Sequence, residues 1–338
     1  MKNDVMVSVF CTVYNHEKYI RKCLDGFIAQ KTDFKFEVLV HDDASTDNSA
    51  DIIREYEEKY PEIIRPIYQT ENQYSQGIGI TKEFFLPIAR GKYFAWCEGD
   101  DYWLDPNKLQ KQFEILEQNL DCSMCVCKVQ NVSEDGEHNC GTIPQFKLNS
   151  GTISSESSIK MLCNGYPFQT SSFFVRGKEY RVFNNEECDF KKMAPEGDLI
   201  ILLYFAQLGN IYYLDEIMSC YRLSSVSSVE RRKKLADSMD KLQPYRDIIA
   251  MIEDYDKYTA YKYHDVLLDY RFRMEVRRLS IEGKYREILR PENEQLLHVL
   301  TRKQKVDIIL RAYLPNIYPS VYNMYRRLRN LPEINEGR

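Results

Sequence analysis

Acidic side chains are concentrated at three points of the sequence, each beside a predicted strand or helix end. The clusters are Asp42-Asp43, Glu98-Gly99-Asp100-Asp101 and Glu196-Gly197-Asp198. In the second cluster, three carboxylates within four residues repel one another unless a cation neutralises them. Carboxylate oxygens suit hard divalent ions such as Mg²⁺ or Mn²⁺, which in turn hold phosphate oxygens. This pattern predicts a metal site at Glu98, Asp100 and Asp101; the alternative is a solvated acidic turn.

The elements that must position these clusters alternate along the first 130 residues. Short β-branched or apolar runs predict strands at residues 5–12, 36–40, 64–68, 93–97 and 122–132. Apolar residues at helical spacing predict helices at 19–30, 45–60 and 108–119. Alternating strands and helices form βαβ units, so we expect an α/β fold with a mostly parallel central sheet flanked by helices. Such sheets bind ligands at the carboxyl ends of their strands, where the acidic clusters fall.

The later part of the sequence divides into two regions. Residues 171–175, 211–214 and 217–222 are predicted as short strands, and 198–207 as an apolar helix. A Ser-rich stretch at 224–228 predicts a boundary between a domain at 1–225 and a C-terminal region at 226–338. The C-terminal region has a helical pattern throughout and is rich in Tyr, Arg and Lys. We therefore expect it to be all-helical.

The charge is distributed unevenly between these two regions. The total is −5, but residues 1–225 carry a balance of −11 and residues 226–338 a balance of +6. An asymmetry of this kind indicates two regions with different partners.

The composition excludes several classes of protein. Apolar residues make up 43% and charged residues 29% of the chain, as in ordinary globular proteins. The low content of 14 Gly and 12 Pro residues excludes collagen-like and disordered sequences. The longest unbroken apolar stretch, residues 199–206, is far too short to span a bilayer. Because the N-terminus lacks the pattern of a signal peptide, the ten cysteines are expected to be reduced thiols in the cytoplasm.

Several motifs occur in an order and spacing that resemble one protein family. They are Val7-Ser8-Val9 through Tyr14-Asn15, Asp42-Asp43-Ala44-Ser45-Thr46-Asp47, Glu71-Asn72, Ala89-Arg90-Gly91-Lys92-Tyr93, Glu98-Gly99-Asp100-Asp101, Pro106-Asn107-Lys108-Leu109, Gly197-Asp198 and Tyr221-Arg222. Over about residues 1–225, the chain resembles the inverting family 2 glycosyltransferases of the GT-A fold. The resemblance implies a Rossmann-like domain that binds a nucleotide-diphospho-sugar.

The resemblance also implies roles for the matching positions. The implied nucleotide-sugar contacts are Thr12, Tyr14, Asn15, Asp42, Asp43, Asn72 and Asp100, with Asp42 or Asp43 bonding the base. Glu98, Asp100 and Asp101 would hold Mn²⁺ or Mg²⁺, although Glu98 replaces the usual Asp. Asp198 matches the catalytic base, within Glu-Gly-Asp rather than Glu-Asp. Ser224 stands where many members have a His, so a histidine contact with the metal or diphosphate is not implied here.

Trp103, Gln169 and Ser171 are candidate contacts for the acceptor. Trp103 follows the acidic turn, where its indole could stack on a sugar or pack in the core. Gln169 and Ser171, with Thr170 between them, occupy the stretch that faces the acceptor in related enzymes.

The expected function is the metal-dependent, inverting transfer of a sugar from a nucleotide-diphospho-sugar. A UDP-sugar is the preferred donor. The resemblance implies a glycan or lipid-linked acceptor in the synthesis of a bacterial surface polysaccharide such as capsule or cell-wall polymer. The alternative is a non-catalytic module that binds the nucleotide-sugar and assists a partner transferase. Asp198 and the complete acidic turn favour the enzyme.

Basic runs in the C-terminal region leave two interpretations open. The runs are Arg231-Arg232-Lys233-Lys234, Arg277-Arg278, Arg302-Lys303 and Arg326-Arg327-Leu328-Arg329. With the Tyr and Leu residues between them, they could form a solvated helical cap or attach to an anionic membrane surface. The second interpretation predicts a peripheral protein on the inner face of the cell membrane. Binding of nucleic acid is disfavoured, because the N-terminal region is acidic and no nucleic-acid motif occurs.

Overall fold

A computed structural model of the chain describes residues 4–165, 167–193, 197–223, 241–320, 322 and 324. The predicted boundary at 224–228, Glu196, and the basic runs at 231–234 and 326–329 lie outside the described residues. The chain divides into two compact units. The first consists of Met1–Cys188 and Glu196–Ser238, and the second of Asp189–Pro195 and Met239–Arg338.

The first unit is built on one sheet that contains ten strands among the described residues. The strands are β1 Val5–Val13, β2 Lys35–Asp42, β3 Ile64–Tyr68, β4 Tyr93–Trp96, β5 Tyr102–Trp103, β6 Cys122–Val132, β7 Asn139–Ile143, β8 Gly151–Ile153, β9 Phe174–Arg176 and β10 Asn210–Arg222. Their order is β3-β2-β1-β4-β9-β6-β10-β5, with β7 beside β6 and β8 beside β10. The run β3-β2-β1-β4 and the pair β6-β10 are parallel, while β9 runs antiparallel to both of its neighbours. The expected α/β fold with a mostly parallel central sheet is confirmed.

Helices cover this sheet because its strands are apolar on both faces. The helices of the first unit are α1 Ile20–Ile28, α2 Ser49–Lys59, α3 Lys108–Gln118, α4 Ser155–Asn164, α5 Gly177–Asn185 and α7 Gly197–Leu208. In α1, the side chains of Ile20, Leu24 and Phe27 lie at helical spacing and are fully buried. Full burial of one such side chain stabilises the fold by about 1.5–3 kcal/mol.

The register of the strands brings their carboxyl ends together. Thr12 and Val13 at the end of β1 pair with His41 and Asp42 at the end of β2. On the other side of β1, Phe10 pairs with Trp96, the last residue of β4. The loops that follow β1, β2 and β4 therefore leave the sheet at the same edge, and these loops carry two of the acidic clusters.

Two predicted elements differ from those observed. Strands expected at 211–214 and 217–222 form the single strand β10, whose pairing with β6 shifts register between Leu214 and Ile217. A bulge accommodates Asp215 and Glu216, so the polar interruption does not end the strand. The strand expected at 171–175 is instead the 3₁₀ turn Thr170–Ser172 followed by β9, because the Gln169 side chain accepts the Ser171 backbone N–H and favours a turn.

The second unit is helical throughout its described residues, as expected for the C-terminal region. Its helices are α6 Asp189–Met193, α8 Gln243–Tyr258, α9 His264–Ile281, α10 Tyr285–Ile288, α11 Glu294–His298 and α12 Arg302–Tyr313. The ring of Phe190 on α6 packs 5.3 Å from that of Tyr255 and 5.0 Å from that of Tyr258 on α8. In the part of the chain that the structure describes, no helix combines the length and apolarity needed to cross a membrane.

Candidate active site at the carboxyl ends of the strands

The loop after β1 is joined to the loop after β2 through Asn15. Asn15 adopts a left-handed backbone conformation with φ of 55°, which Asn tolerates better than most residues. Its backbone N–H donates to Ser45 Oγ at 2.9 Å, and its Oδ1 accepts the backbone N–H of Thr46 at 2.8 Å. Thr12 is half-buried at the end of β1, and Tyr14 is 41% exposed. The Asn15 side chain is therefore part of the loop framework, while the Tyr14 ring is accessible to a ligand.

Asp42 and Asp43 are both buried, but their carboxylates differ in what they bind. The two oxygens of Asp43 accept the backbone N–H groups of Gln73 at 2.7 Å and Tyr74 at 3.0 Å. One oxygen of Asp42 accepts the backbone N–H of Ser45 at 3.3 Å. The other, Oδ1, is buried with no hydrogen-bond partner among the described residues. A buried acceptor without a partner costs free energy, so Asp42 Oδ1 is suited to a donor from a ligand.

Asn72 begins the loop that Asp43 holds. Its Nδ2 donates to the backbone carbonyl of Asp43 at 3.2 Å, and its Oδ1 accepts the backbone N–H of Ser75 at 2.7 Å. The structure thus places Asn72 beside the predicted base-binding aspartates, with its amide used to shape the loop.

The acidic turn after β4 lies directly against the end of β1. The Gly99 backbone N–H donates to the Thr12 carbonyl at 3.0 Å, and the Asp101 N–H donates to the Glu98 carbonyl at 3.0 Å. A Cβ at Gly99 would lie 2.8 Å from His16 Nδ1, so only glycine permits this close approach. Thr12 and the acidic turn, predicted from separate motifs, are therefore in contact. The Glu98 side chain is exposed.

Asp101 is the most enclosed carboxylate of the acidic turn. Its Oδ1 accepts the backbone N–H of Arg222 at 2.9 Å, and its Oδ2 accepts Gln169 Nε2 at 3.2 Å. Burial, followed by the charges of Asp100 and Glu98, raises the pKa of Asp101 well above its usual range. The Asp101 carboxylate is therefore held by two hydrogen bonds and lies close to the charges of Asp100 and Glu98.

Arg222 is a site residue whose role was not predicted. Its Nε donates to the Asp100 carbonyl at 2.9 Å, and its guanidinium lies 4.6 Å from the ring centre of Tyr19 and 5.6 Å from that of Tyr102. Arg222 is buried at the end of β10. Its backbone N–H binds the Asp101 carboxylate, and its side chain binds the Asp100 backbone carbonyl. The Tyr221-Arg222 motif was the available signal, but a motif does not reveal which backbone carbonyl an arginine contacts.

His16 lies beside Asp100, with 3.9 Å between Nε2 and Oδ2. Burial lowers the pKa of His16 despite the opposing charges of Asp100, Asp47 and Asp42. The backbone N–H of His16 donates to Ser49 Oγ at 2.8 Å, which joins the β1 loop to the first residue of α2.

Asp198 lies in the first turn of α7, where the positive end of the helix dipole favours a carboxylate. Its Oδ2 accepts the hydroxyl of Thr170 at 3.2 Å. Thr170 directly follows Gln169, which binds Asp101. The turn Thr170–Ser172 and the residue before it thus connect the predicted catalytic base with the acidic turn.

The three predicted acceptor contacts are buried. The indole N–H of Trp103 donates to the Ser171 carbonyl at 3.2 Å, and its ring packs edge-on against Phe27 at 4.9 Å. Ser171 Oγ donates to Gln169 Oε1 and lies 3.1 Å from Ser219 Oγ. Trp103 therefore packs in the core, the second of its two interpretations. Gln169 donates to Asp101 of the acidic turn, and Ser171 holds the Gln169 side chain.

The oxygen atoms of the acidic turn determine which kind of cation it fits. Its three carboxylates, within four residues of one another, supply oxygen donors of the kind that Mg²⁺ or Mn²⁺ binds. Within the described ranges, no group of three His, Cys, Asp or Glu side chains could hold a metal ion by itself. Mg²⁺ is commonly held by one or two carboxylates together with substrate phosphates rather than by a cage of protein ligands. The turn fits a cation of that kind, with Asp100, Glu98 and Asp101 as the residues that would hold it.

Comparison with known sequences finds a family match over about half of the chain. The sequence model of the family described as Glycosyl transferase family 2 matches residues 8–179. An uncharacterized protein of Mycobacterium tuberculosis (strain ATCC 25618 / H37Rv) is 46% identical over 132 residues, which is 38% of this chain and 37% of that protein. The poly(ribitol-phosphate) beta-glucosyltransferase of Bacillus spizizenii is 37% identical over 99 residues, 28% of this chain and 15% of that enzyme. The matches thus span less than half the length of these curated relatives.

Comparison with solved structures supports the fold. S. aureus TarS 1-349 in complex with UDP-GlcNAc aligns over 96% of this chain and 85% of its own, with a TM-score of 0.59 and 18% identity.

Proposed function

Because the chain belongs to glycosyl transferase family 2, we propose that it transfers a sugar from a nucleoside-diphosphate sugar to a hydroxyl of an acceptor. The transfer inverts the configuration of the anomeric carbon. The observation that carries this proposal is the link from Asp101 through Gln169 and Thr170 to Asp198. This link supports a shared site in which the acidic turn would take the diphosphate with its cation and Asp198 would act as the base.

The donor we propose is a UDP-sugar, bound at the ends of β1, β2 and β4. The exposed ring of Tyr14 can stack on the base, and the unpartnered Oδ1 of Asp42 can accept a base N–H. Asp43 and Asn72 hold the neighbouring loop in position. Uracil carries an imide N–H that meets this requirement, which supports Asp42 rather than Asp43 as the base contact.

Mn²⁺ or Mg²⁺ at Asp100, Glu98 and Asp101 would stabilise the charge that develops on the leaving diphosphate. The remaining chemistry belongs to the chain itself. Asp198 takes the proton of the acceptor hydroxyl as its oxygen forms a bond to the anomeric carbon. The bond from that carbon to the diphosphate breaks, and its electron pair leaves with the nucleoside diphosphate. A base of this kind contributes about 10²–10⁴-fold to the rate.

The acceptor we propose is a bacterial surface polymer, such as a cell-wall or capsular glycan, or its lipid-linked precursor. Support comes from the Bacillus spizizenii relative, whose name states that it glucosylates poly(ribitol-phosphate). The second candidate function, a non-catalytic module that binds a nucleotide-sugar, shares the donor site but does not require a base at Asp198.

The test compares Asp198→Asn with the unchanged protein in a transfer assay, after a screen of nucleotide-sugars and acceptors. We expect kcat to fall by about 10²–10⁴-fold, while UDP binding by calorimetry stays within about twofold, because Asp198 acts only on the acceptor. The matched control is Asp33→Asn, an exposed carboxylate just before β2, at the opposite end of that strand from Asp42. Unchanged turnover in Asp198→Asn would remove the base assignment. Absence of transfer by the unchanged protein, together with binding of UDP, would favour the binding module instead.

A further inference from the structure

Helix α12 in the C-terminal unit presents an apolar stripe to solvent. Val306, Ile309 and Tyr313 are 56%, 45% and 60% exposed, and they recur at i, i+3 and i+7, so they lie along one face of the helix. Leu314 and Ile317, just beyond the helix, are also exposed. We call these five side chains the α12 stripe. Solvent exposure of so many large apolar side chains within twelve residues marks an interaction surface.

The α12 stripe is a second face of a helix that already packs against its own unit. Ile308 and Ala312 lie on the other side of α12 and are buried. Ile308 packs in a cluster with Val276 and Ile288. The buried face is sufficient to pack α12 against its own unit. The side chains of the stripe are therefore not needed for that packing.

Basic residues surround the α12 stripe. Arg302 and Lys303 are exposed in the first turn of the helix, and Lys305 is half-exposed beside them. The guanidinium of Arg286 lies 5.8 Å from the ring centre of Tyr313. Between Arg302 and Tyr313 the sequence has four basic residues and one acidic residue, a net charge of +3. The acidic residue, Asp307, is paired with Arg311 at 3.0 Å.

We propose that the α12 stripe docks on the surface of an anionic lipid bilayer. A helix with exposed apolar side chains flanked by Lys and Arg lies in the membrane interface, where its apolar side chains enter the acyl boundary and its cations meet anionic headgroups. A second copy of the chain fits this surface less well, because a symmetric contact would place the same basic residues opposite one another.

The test is flotation of the full chain with vesicles made of equal parts phosphatidylglycerol and phosphatidylcholine, compared with phosphatidylcholine alone. We expect binding only to the anionic vesicles. Binding should weaken as ionic strength rises from about 0.1 M to about 1 M, which shortens the screening length from about 10 Å to about 3 Å.

Two variants separate the two parts of the surface. The charge variant combines Arg302→Gln, Lys303→Gln and Lys305→Gln, and its charge-matched control combines Lys82→Gln, Lys160→Gln and Lys178→Gln at exposed positions of the other unit. The apolar variant combines Val306→Asn and Ile309→Asn. Its control combines Leu120→Asn and Val182→Asn, two substitutions at exposed positions of the other unit. We expect the charge variant to weaken vesicle binding by about a hundredfold, since each of its three basic residues contributes roughly fivefold near an anionic surface. We expect the apolar variant to weaken it by about tenfold or more, because two apolar side chains no longer enter the acyl boundary.

The controls should bind as the unchanged chain does, and all variants should keep its Tm because the changed side chains are on the surface. Failure of the unchanged chain to float with anionic vesicles would overturn the proposal. The proposal would also be overturned if the chain bound neutral and anionic vesicles equally well. The same holds if the control variants lost as much vesicle binding as the α12 variants. An apolar variant that converts a dimer to a monomer in light scattering, with flotation unchanged, would assign the stripe to a second copy instead.

Discussion

Gln169 and Thr170 are adjacent in the chain, yet their side chains bind carboxylates for which we propose different roles. Gln169 donates to Asp101 in the acidic turn, and Thr170 donates to Asp198 on α7. A hydrogen bond to a carboxylate restricts its rotation and determines which oxygen is left for another donor. In the proposed reaction, Thr170 is therefore a positioning residue for the base.

Substitution of Thr170 by Val removes the hydroxyl donor but keeps a branched side chain of similar shape. We expect kcat to fall by about 10- to 100-fold, because a hydrogen bond to a charged group contributes about 1.5–3 kcal/mol. The KM for the donor should change by less than about twofold, since the donor is bound by other residues. Steady-state kinetics of Thr170→Val would measure both values.

Thr170→Ser restores the hydroxyl and should recover most of the lost kcat. Thr32→Val, a half-buried threonine whose hydroxyl donates to a backbone carbonyl before β2, is the matched control. If Thr170→Val raised KM and left kcat unchanged, the result would contradict a role in positioning the base.

At the scale of the elements, a buried carboxylate in β2 ties together the chain segments around the parallel strands. Glu37 accepts the Ser8 hydroxyl of β1 at 2.7 Å, the guanidinium of Arg65 in β3, and the backbone N–H of Arg90 before β4 at 2.8 Å. Burial opposes ionisation of Glu37, but the hydrogen bonds from Arg90, Ser8 and Arg65 outweigh it and lower its pKa. The register that aligns the carboxyl ends of the strands is thus supported by an ionic network near their other ends.

Glu37→Gln tests this network through the pH dependence of stability. The folded-state pKa of Glu37 lies below the unfolded value of about 4.3, so its stabilisation is complete above that value and is lost as pH falls through the folded-state pKa. We expect the variant to lose about 3 kcal/mol of unfolding free energy at neutral pH, as when one partner of a buried ion pair is removed.

The difference between the two proteins should shrink steadily below about pH 4, where the native carboxylate becomes protonated. Urea unfolding at several pH values measures this difference in unfolding free energy. Glu58→Gln on the exposed side of α2 is the control and should leave stability unchanged at every pH. A pH-independent loss in Glu37→Gln would mean that shape, rather than charge, accounts for the contribution of Glu37.

At the scale of the whole molecule, the −11 and +6 balances of the two sequence regions have different structural settings. Part of the acidity lies at strand ends, where Asp42, Asp100 and Asp101 are buried. Part of the basicity surrounds the α12 stripe. A cation with a nucleoside diphosphate suits the first setting, and an anionic surface suits the second.

Addition of UDP with Mn²⁺ should therefore raise the apparent unfolding temperature of the full chain. A ligand that binds only the folded state adds about 2.7 kcal/mol of stability when present at about one hundred times its Kd. We expect EDTA to remove most of this gain, because the diphosphate and the carboxylates of the acidic turn repel one another without the cation.

Thermal shift assays with UDP, Mn²⁺, both, and both with EDTA measure the effect, and Asp42→Asn should reduce the UDP-dependent part. The same shift in the presence of EDTA would contradict a role for the metal in donor binding. Uridine without phosphates serves as the control, since its binding should not depend on Mn²⁺.

The sequence by itself determined the α/β class, most of the element positions and the locations of the acidic clusters. These follow from local pattern, because the period of apolar residues and the residues at strand ends are properties of short segments. The sequence also indicated the family, because the order of its motifs can be recognised even where overall sequence identity is low. What local pattern could not supply was the identity of each side chain's partner, which depends on segments far apart in the chain.

Only the tertiary structure separated Asp42 from Asp43, enclosed Trp103 in the core, and brought Arg222 to the acidic turn. In each case the outcome depends on which distant backbone or side-chain groups reach the residue. Burial and hydrogen bonding are set by that three-dimensional packing, so an aspartate that holds a loop and one that is open to a ligand look the same in sequence. The link from Asp101 to Asp198 likewise exists only because β9, β10 and α7 fold back beside the acidic turn.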